Sequence, residues 1–82
     1  MKRGPDYEVR AITDDSIFIR DLDLGGMSVT NAAEEVVQQL LATYGNKKIV
    51  YQDTEGQWDE LIHDGIQFTD FGPFRGQLPD GL

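Results

Sequence analysis

His63 and Asp64, with Asp59 and Glu60 just upstream, form the best ionisable cluster in the sequence. His63 is the sole histidine. An imidazole beside carboxylates can act as a general base or join a metal site. A metal reading takes His63, Asp59 and Tyr51 on one strand face. That set is under-ligated for zinc, and the chain has no cysteine to complete it. Ser16, Ser28, Thr30 and Thr43 could be nucleophiles only beside a base, and nothing in their surroundings supports a triad. The structural reading is favoured, with His63 ending a strand beside a turn aspartate. No metal, no cofactor and no catalytic residue is expected, so the chain does not read as an enzyme.

The stretch Asp21-Leu22-Asp23-Leu24-Gly25-Gly26 superficially resembles a calcium loop. Gly25 fills the third acidic position, and Ala32, twelfth in the loop, cannot supply the bidentate carboxylate. Gly25-Gly26 ahead of a helix could also cradle a phosphate. No Gly-Lys-Ser/Thr pattern follows, and Glu34 and Glu35 would repel the anion. The expectation is a flexible approach to the helix.

Charge narrows the partners. Fifteen Asp and Glu face seven Lys and Arg across 82 residues, a net charge of -8. Lys2, Arg3, Arg10, Arg20, Lys47, Lys48 and Arg75 are scattered, so direct binding of nucleic acid is not expected. The longest uncharged apolar-rich run, Val36–Tyr44, is far shorter than the roughly 20 residues that span a bilayer. No apolar stretch follows the basic N-terminus, so no secretory signal is read. With no cysteine, these features suggest a cytoplasmic protein without membrane contact.

The elements that would position these residues follow from periodicity. Tyr7–Thr13 alternates as a strand, Asp14-Asp15 turns, and Ile17–Arg20 returns. A three-residue turn would place Tyr7, Val9, Ala11, Ile17 and Ile19 on one face. Ala33, Val36, Val37, Leu40, Leu41 and Tyr44 form a helical stripe. Thr30 or Asn31 is the expected N-cap, with Glu34 and Glu35 in the first turns and Gly45 at the end. Lys47 and Lys48 would follow the negative end of the helix. Lys48–Asp53, Gln57–His63 and Ile66–Phe71 read as three strands joined at Thr54–Gly56 and Asp64-Gly65. The result is a two-layer α+β domain in the order β-β-α-β-β-β, an antiparallel sheet with one helix packed on one face. It spans residues 1–71, followed by a Gly/Pro-rich tail over 72–82.

Turn lengths then sort the side chains. A three-residue loop pairs Ile49 with Leu61 and Tyr51 with Asp59. A two-residue loop at Asp64-Gly65 pairs His63 with Ile66 and Leu61 with Phe68. Ile49, Tyr51, Leu61, Ile66 and Phe68 would then lie under the helix. The other face would hold Val50, Trp58, Ile62 and Phe71, too apolar for a solvated surface. Unless the register differs, either Phe74 folds back over Trp58 or another protein chain covers that face.

The segments Gly26–Glu34, Tyr44–Tyr51 and Asp53–Leu61 resemble small proteins encoded in bacterial and bacteriophage genomes. The resemblance covers roughly residues 7–74 and carries over no catalytic or binding residue. It implies a small cytosolic accessory protein, and because small acidic phage proteins often bind host machinery it raises the partner-binding reading.

The expected function is therefore protein–protein contact, as a homodimer or with a partner protein. The contact residues would be Val50, Trp58, Ile62, Phe71 and Phe74, or the edge strands would serve instead. The alternative is an acidic nucleic-acid mimic that inhibits a nucleic-acid-binding protein, since dense negative charge steers basic partners.

Overall fold

The computed structural model describes residues 5–24 and 26–82, the side chains of Asp21 and Leu22 excepted. Among the described residues the order is β1 (Asp6–Ile12), β2 (Ser16–Asp23), α1 (Val29–Tyr44), β3 (Lys48–Gln52), β4 (Trp58–His63) and β5 (Phe68–Pro73). The strands form one sheet in sequence order, and α1 packs on one face against β4 and β5. This is the α+β, β-β-α-β-β-β architecture. One strand pair differs from the expected antiparallel sheet. β2 and β3 run parallel, while the other three pairs are antiparallel. The reason is the connection: a helical crossover returns the chain to the end where β2 began.

The helix starts two residues before the nearer expected cap. Ser28 is the N-cap, and its side chain accepts the Asn31 N–H at 3.1 Å. Glu34 and Glu35 therefore miss the first turn, which contains no acid. Gly45 ends the helix at φ 87°, and its N–H reaches Leu41 O at 3.0 Å. Lys47 does not serve the helix end. Its ammonium donates to Thr13 O and Asp14 O at 2.8 and 2.7 Å, tying down the β1–β2 turn.

The core lies between α1 and the sheet. Ala33, Val36, Val37 and Leu40 meet Ile17, Ile19, Ile49, Leu61 and Phe68. Each fully buried aliphatic side chain contributes about 1.5–3 kcal/mol relative to exposure. No helix of the described residues is long and apolar enough to cross a membrane.

Two hairpins depart from the expected register. The first closes over Asp14-Asp15, with Ile12 opposite Ile17. An irregularity between Val9 and Ala11 then lets Val9 face Ile19 on the core side while Ala11 faces Phe18 on the other. A bulge does what a longer turn would have done for Tyr7 and Val9, and it leaves Ala11 outside.

The last hairpin closes later. His63 pairs with Phe68, Ile62 with Asp70 and Leu61 with Phe71. Asp64 accounts for the longer loop. Its Oδ1 accepts the Ile66 and Gln67 amides, each at 2.9 Å, and its own N–H donates to Gln67 O. Such an Asx arrangement outcompetes the tight Asp-Gly turn. Ile66 consequently leaves the core and is 78% exposed. The register shift beside Ile62 also brings Phe71 to the core side with Phe68, the two rings 4.9 Å apart. The middle hairpin has the expected register, Ile49 opposite Leu61 and Tyr51 opposite Asp59.

Candidate functional site

The sheet face opposite α1 is centred on Phe18. Residues 17, 18 and 19 are all buried, so β2 is covered on both sides. Ile17 and Ile19 point to the helix, and alternation sends Phe18 the other way. Val50 is its register partner on β3 and is fully buried. The Trp58 ring meets the Phe18 ring edge-on, centroids 5.9 Å apart. Phe74 closes the other side at 5.6 Å and 84°. Such edge-to-face pairs add about 0.5–1.5 kcal/mol each beyond area burial. Phe74 sits just past β5, and its N–H reaches Trp58 O at 3.4 Å. The tail therefore folds back over the face, seated chiefly on Phe18 beside Trp58.

The cover is partial. Trp58 and Phe74 stay half-buried, and Ile62 is 37% exposed. These three form the accessible apolar part of the face. Val50 lies beneath and offers no surface. Phe71 is on the helix side, where its ring meets Tyr51 and Phe68. Its expected place opposite Trp58 is corrected by the β5 register shift.

Phe18 was absent from the sequence-derived face. Its signal was the apolar run Ile17-Phe18-Ile19, which fits a strand buried on both faces better than a half-solvated one.

The sheet edges are protected. β1 carries two register irregularities. On β5 the Asp70 carboxylate takes the Phe71 N–H at 2.8 Å, and Pro73 has no N–H to offer. Both devices discourage strand addition.

The His63 ring engages backbone on both sides. His63 Nε2 lies 2.7 Å from Lys47 O, and Nδ1 accepts the Gly65 N–H at 3.0 Å. These partners set Nε2 as the donor and occupy both ring nitrogens with backbone. Asp59 is at the far end of β4, near Tyr51. Burial raises the Tyr51 phenol pKa first, with the Asp59 and Asp53 charges adding to it. Among the described residues no group of three His, Cys, Asp or Glu could hold a metal. The Ser16 hydroxyl donates to Asp15 Oδ1 at 3.1 Å, and its amide is taken by Thr13 Oγ1. The stretch Asp21–Gly26 includes Gly25, which lies outside the described residues, as do Lys2 and Arg3.

Asp6 pairs in register with Asp23, and Asp53 and Asp59 both act on Tyr51. Comparison with protein-family models finds no match for the chain. Curated proteins and solved structures give no match either.

Proposed function

We propose that this is a non-enzymatic cytoplasmic protein that works through protein–protein contact. The contact is the accessible apolar part of the face opposite α1, around Trp58, Ile62 and Phe74. One observation carries the reading. Three large apolar side chains, Trp58, Ile62 and Phe74, remain partly accessible on a sheet face that no described helix covers. Clustered aromatic and aliphatic groups of this kind supply most of the energy of protein interfaces. The protected edges favour the face over strand addition. A second copy of the chain is the simplest occupant, and the net charge of -8 makes its association salt-dependent.

Sedimentation over a wide concentration range tests this. The mass should rise with concentration and added salt, and Ile62→Asp should hold the chain as a monomer. A monomer at every concentration, unaffected by Ile62→Asp, overturns the homodimer.

The net charge of -8, with Asp6 facing Asp23 across β1 and β2, supports a second reading, an acidic mimic bound by a nucleic-acid-binding protein. It predicts capture of such proteins that DNA competes away and salt weakens. Capture insensitive to both would exclude it.

A further inference from the structure

Asp-Gly occurs twice in the chain, at Asp64-Gly65 and at Asp80-Gly81. Aspartate isomerises most readily in this dipeptide, because glycine has no Cβ to shield its nitrogen or restrain its backbone. The glycine nitrogen attacks the aspartate Cγ. The carboxyl must first take a proton, and its hydroxyl then leaves as water with the amide proton. Water reopens the resulting five-membered imide at either carbonyl, giving aspartate or isoaspartate of unchanged mass. At Asp64-Gly65 both reacting groups are engaged by the fold. Asp64 Oδ1 accepts the Ile66 and Gln67 N–H groups, both at 2.9 Å. The Gln67 amide, then the Ile66 amide, holds the carboxyl below its ordinary pKa, in the ionised form that resists attack. The Gly65 N–H donates to His63 Nδ1 at 3.0 Å. Asn46 crowds the same glycine, its Nδ2 lying 3.2 Å from where a Cβ would stand. Asp64 itself is exposed, so burial does not keep water from it. Among the described residues, no hydrogen bond holds the Asp80 carboxylate or the Gly81 N–H, although Gly81 has nearly the φ of Gly65, 93° against 91°.

We infer that Asp64-Gly65 is an isoaspartate-forming site that the fold keeps latent, its carboxylate held by the Ile66 and Gln67 amides and its attacking nitrogen by the His63 ring. Reaction needs a protonated, movable carboxyl and a glycine nitrogen free to turn toward Cγ. Both arise when the turn opens, so the rate is scaled by the open fraction. Breaking a single hydrogen bond to a charged group already lowers that fraction about tenfold or more. Isoaspartate would send the main chain through the former side chain and remove the Oδ1 acceptor. The Asx loop could not re-form, so the modification loosens the β4–β5 hairpin.

Incubation of the full chain for weeks at neutral pH, followed by peptide mapping, tests the site. Isoaspartate is read at each position by methylation with an isoaspartyl methyltransferase and by resistance to an Asp-specific endoprotease. In the native protein Asp64 should form isoaspartate about tenfold or more slowly than in the guanidinium-unfolded chain. Asp80 should differ little between the two states. Equal rates at Asp64 in the native and unfolded chains overturn the inference. Asp80 slowed as much as Asp64 also overturns it, because the slowing would then not belong to the turn. His63→Ala should speed the reaction at Asp64 several-fold in the folded protein and leave Asp80 unchanged. Val37→Ala, a truncation in the core, controls for lost stability and should leave Asp64 slow. A slower Asp64 in His63→Ala makes the ring a base that promotes the attack. Equal acceleration in Val37→Ala transfers the protection to global folding. Either result overturns the role given to His63.

Discussion

The δ1 methyl of Ile62 lies 2.8 Å from where a Cβ on Gly72 would stand. Ile62 is thus draped over a glycine of the neighbouring strand, on the face that also holds Trp58. The obstructing atom is the far end of a partly exposed side chain, so it can swing aside. Moving it off its rotamer costs about 0.5–1.5 kcal/mol. Removing a strand glycine returns about 0.5–1 kcal/mol. Gly72→Ala should therefore change stability by less than about 1 kcal/mol. In an Ile62→Ala background the same change should become stabilising, by about 0.5–1 kcal/mol. Urea midpoints of the four proteins in this cycle check both statements.

Phe68 keeps the core place that a tight Asp-Gly turn would give it, and Ile66 loses the one that turn would give it. Phe68 is 8% exposed in the core and Ile66 is 78% exposed at the turn. Phe68→Ala should cost about 3–5 kcal/mol, most of what a domain this small possesses. Ile66→Ala should stay within about 0.5 kcal/mol. Thermal melts of the two variants decide the register of this hairpin. Comparable losses at both positions would restore the shorter turn.

What was legible in the sequence was local. The helical stripe from Ala33 to Tyr44, its Gly45 stop and the Ile49–Leu61 register all follow from periodicity or from one turn. Less legible were features that depend on distant partners. The parallel β2–β3 pair follows from where the crossover lands. The irregularities near Arg10 and Thr69 arise because bulges re-aim side chains once one face is committed to burial. They moved Ala11 out of the core face and Phe71 into it. On the candidate face, Trp58 and Ile62 were readable from alternation. The role of Phe18 was not, because Ile17 and Ile19 already accounted for one buried side of β2.

His63 should matter to stability and not to metal. Its ring bridges Lys47 O and the Gly65 N–H, joining the chain before β3 to the β4–β5 turn. Removing it leaves two part-buried backbone groups without their partner, a loss of about 1–3 kcal/mol. His63→Ala should lower the melting temperature while zinc titration calorimetry gives no heat of binding with either protein. Zinc binding to wild type that disappears in the variant would revive a metal role.

Two groups give the pH dependence opposite signs at its two ends. The Ile66 and Gln67 amides hold the Asp64 carboxyl below its ordinary 3.8, with Gln67 the larger cause. A depressed folded pKa means the unfolded chain binds the proton first as pH falls. The Asp64 contribution is thus complete above 3.8 and disappears as pH falls through the lower folded value. Asp64→Ala should remove this acid-side loss, so its stability should fall less steeply with acid than that of wild type. Tyr51 is the reverse case. Burial, then the charges of Asp59 and Asp53, raise its phenol above 10.0, so the folded chain holds that proton more tightly. Its contribution is complete below 10.0 and is lost as pH rises through the folded value. Tyrosinate absorbance should therefore show a late alkaline step that Tyr51→Phe removes. Replacing Asp59 with Asn should move that step toward lower pH, because it removes one of the charges while leaving the burial in place. If Tyr51→Phe leaves the alkaline titration unchanged, the late step belongs to another tyrosine and the carboxylates beside Tyr51 have no hold on it.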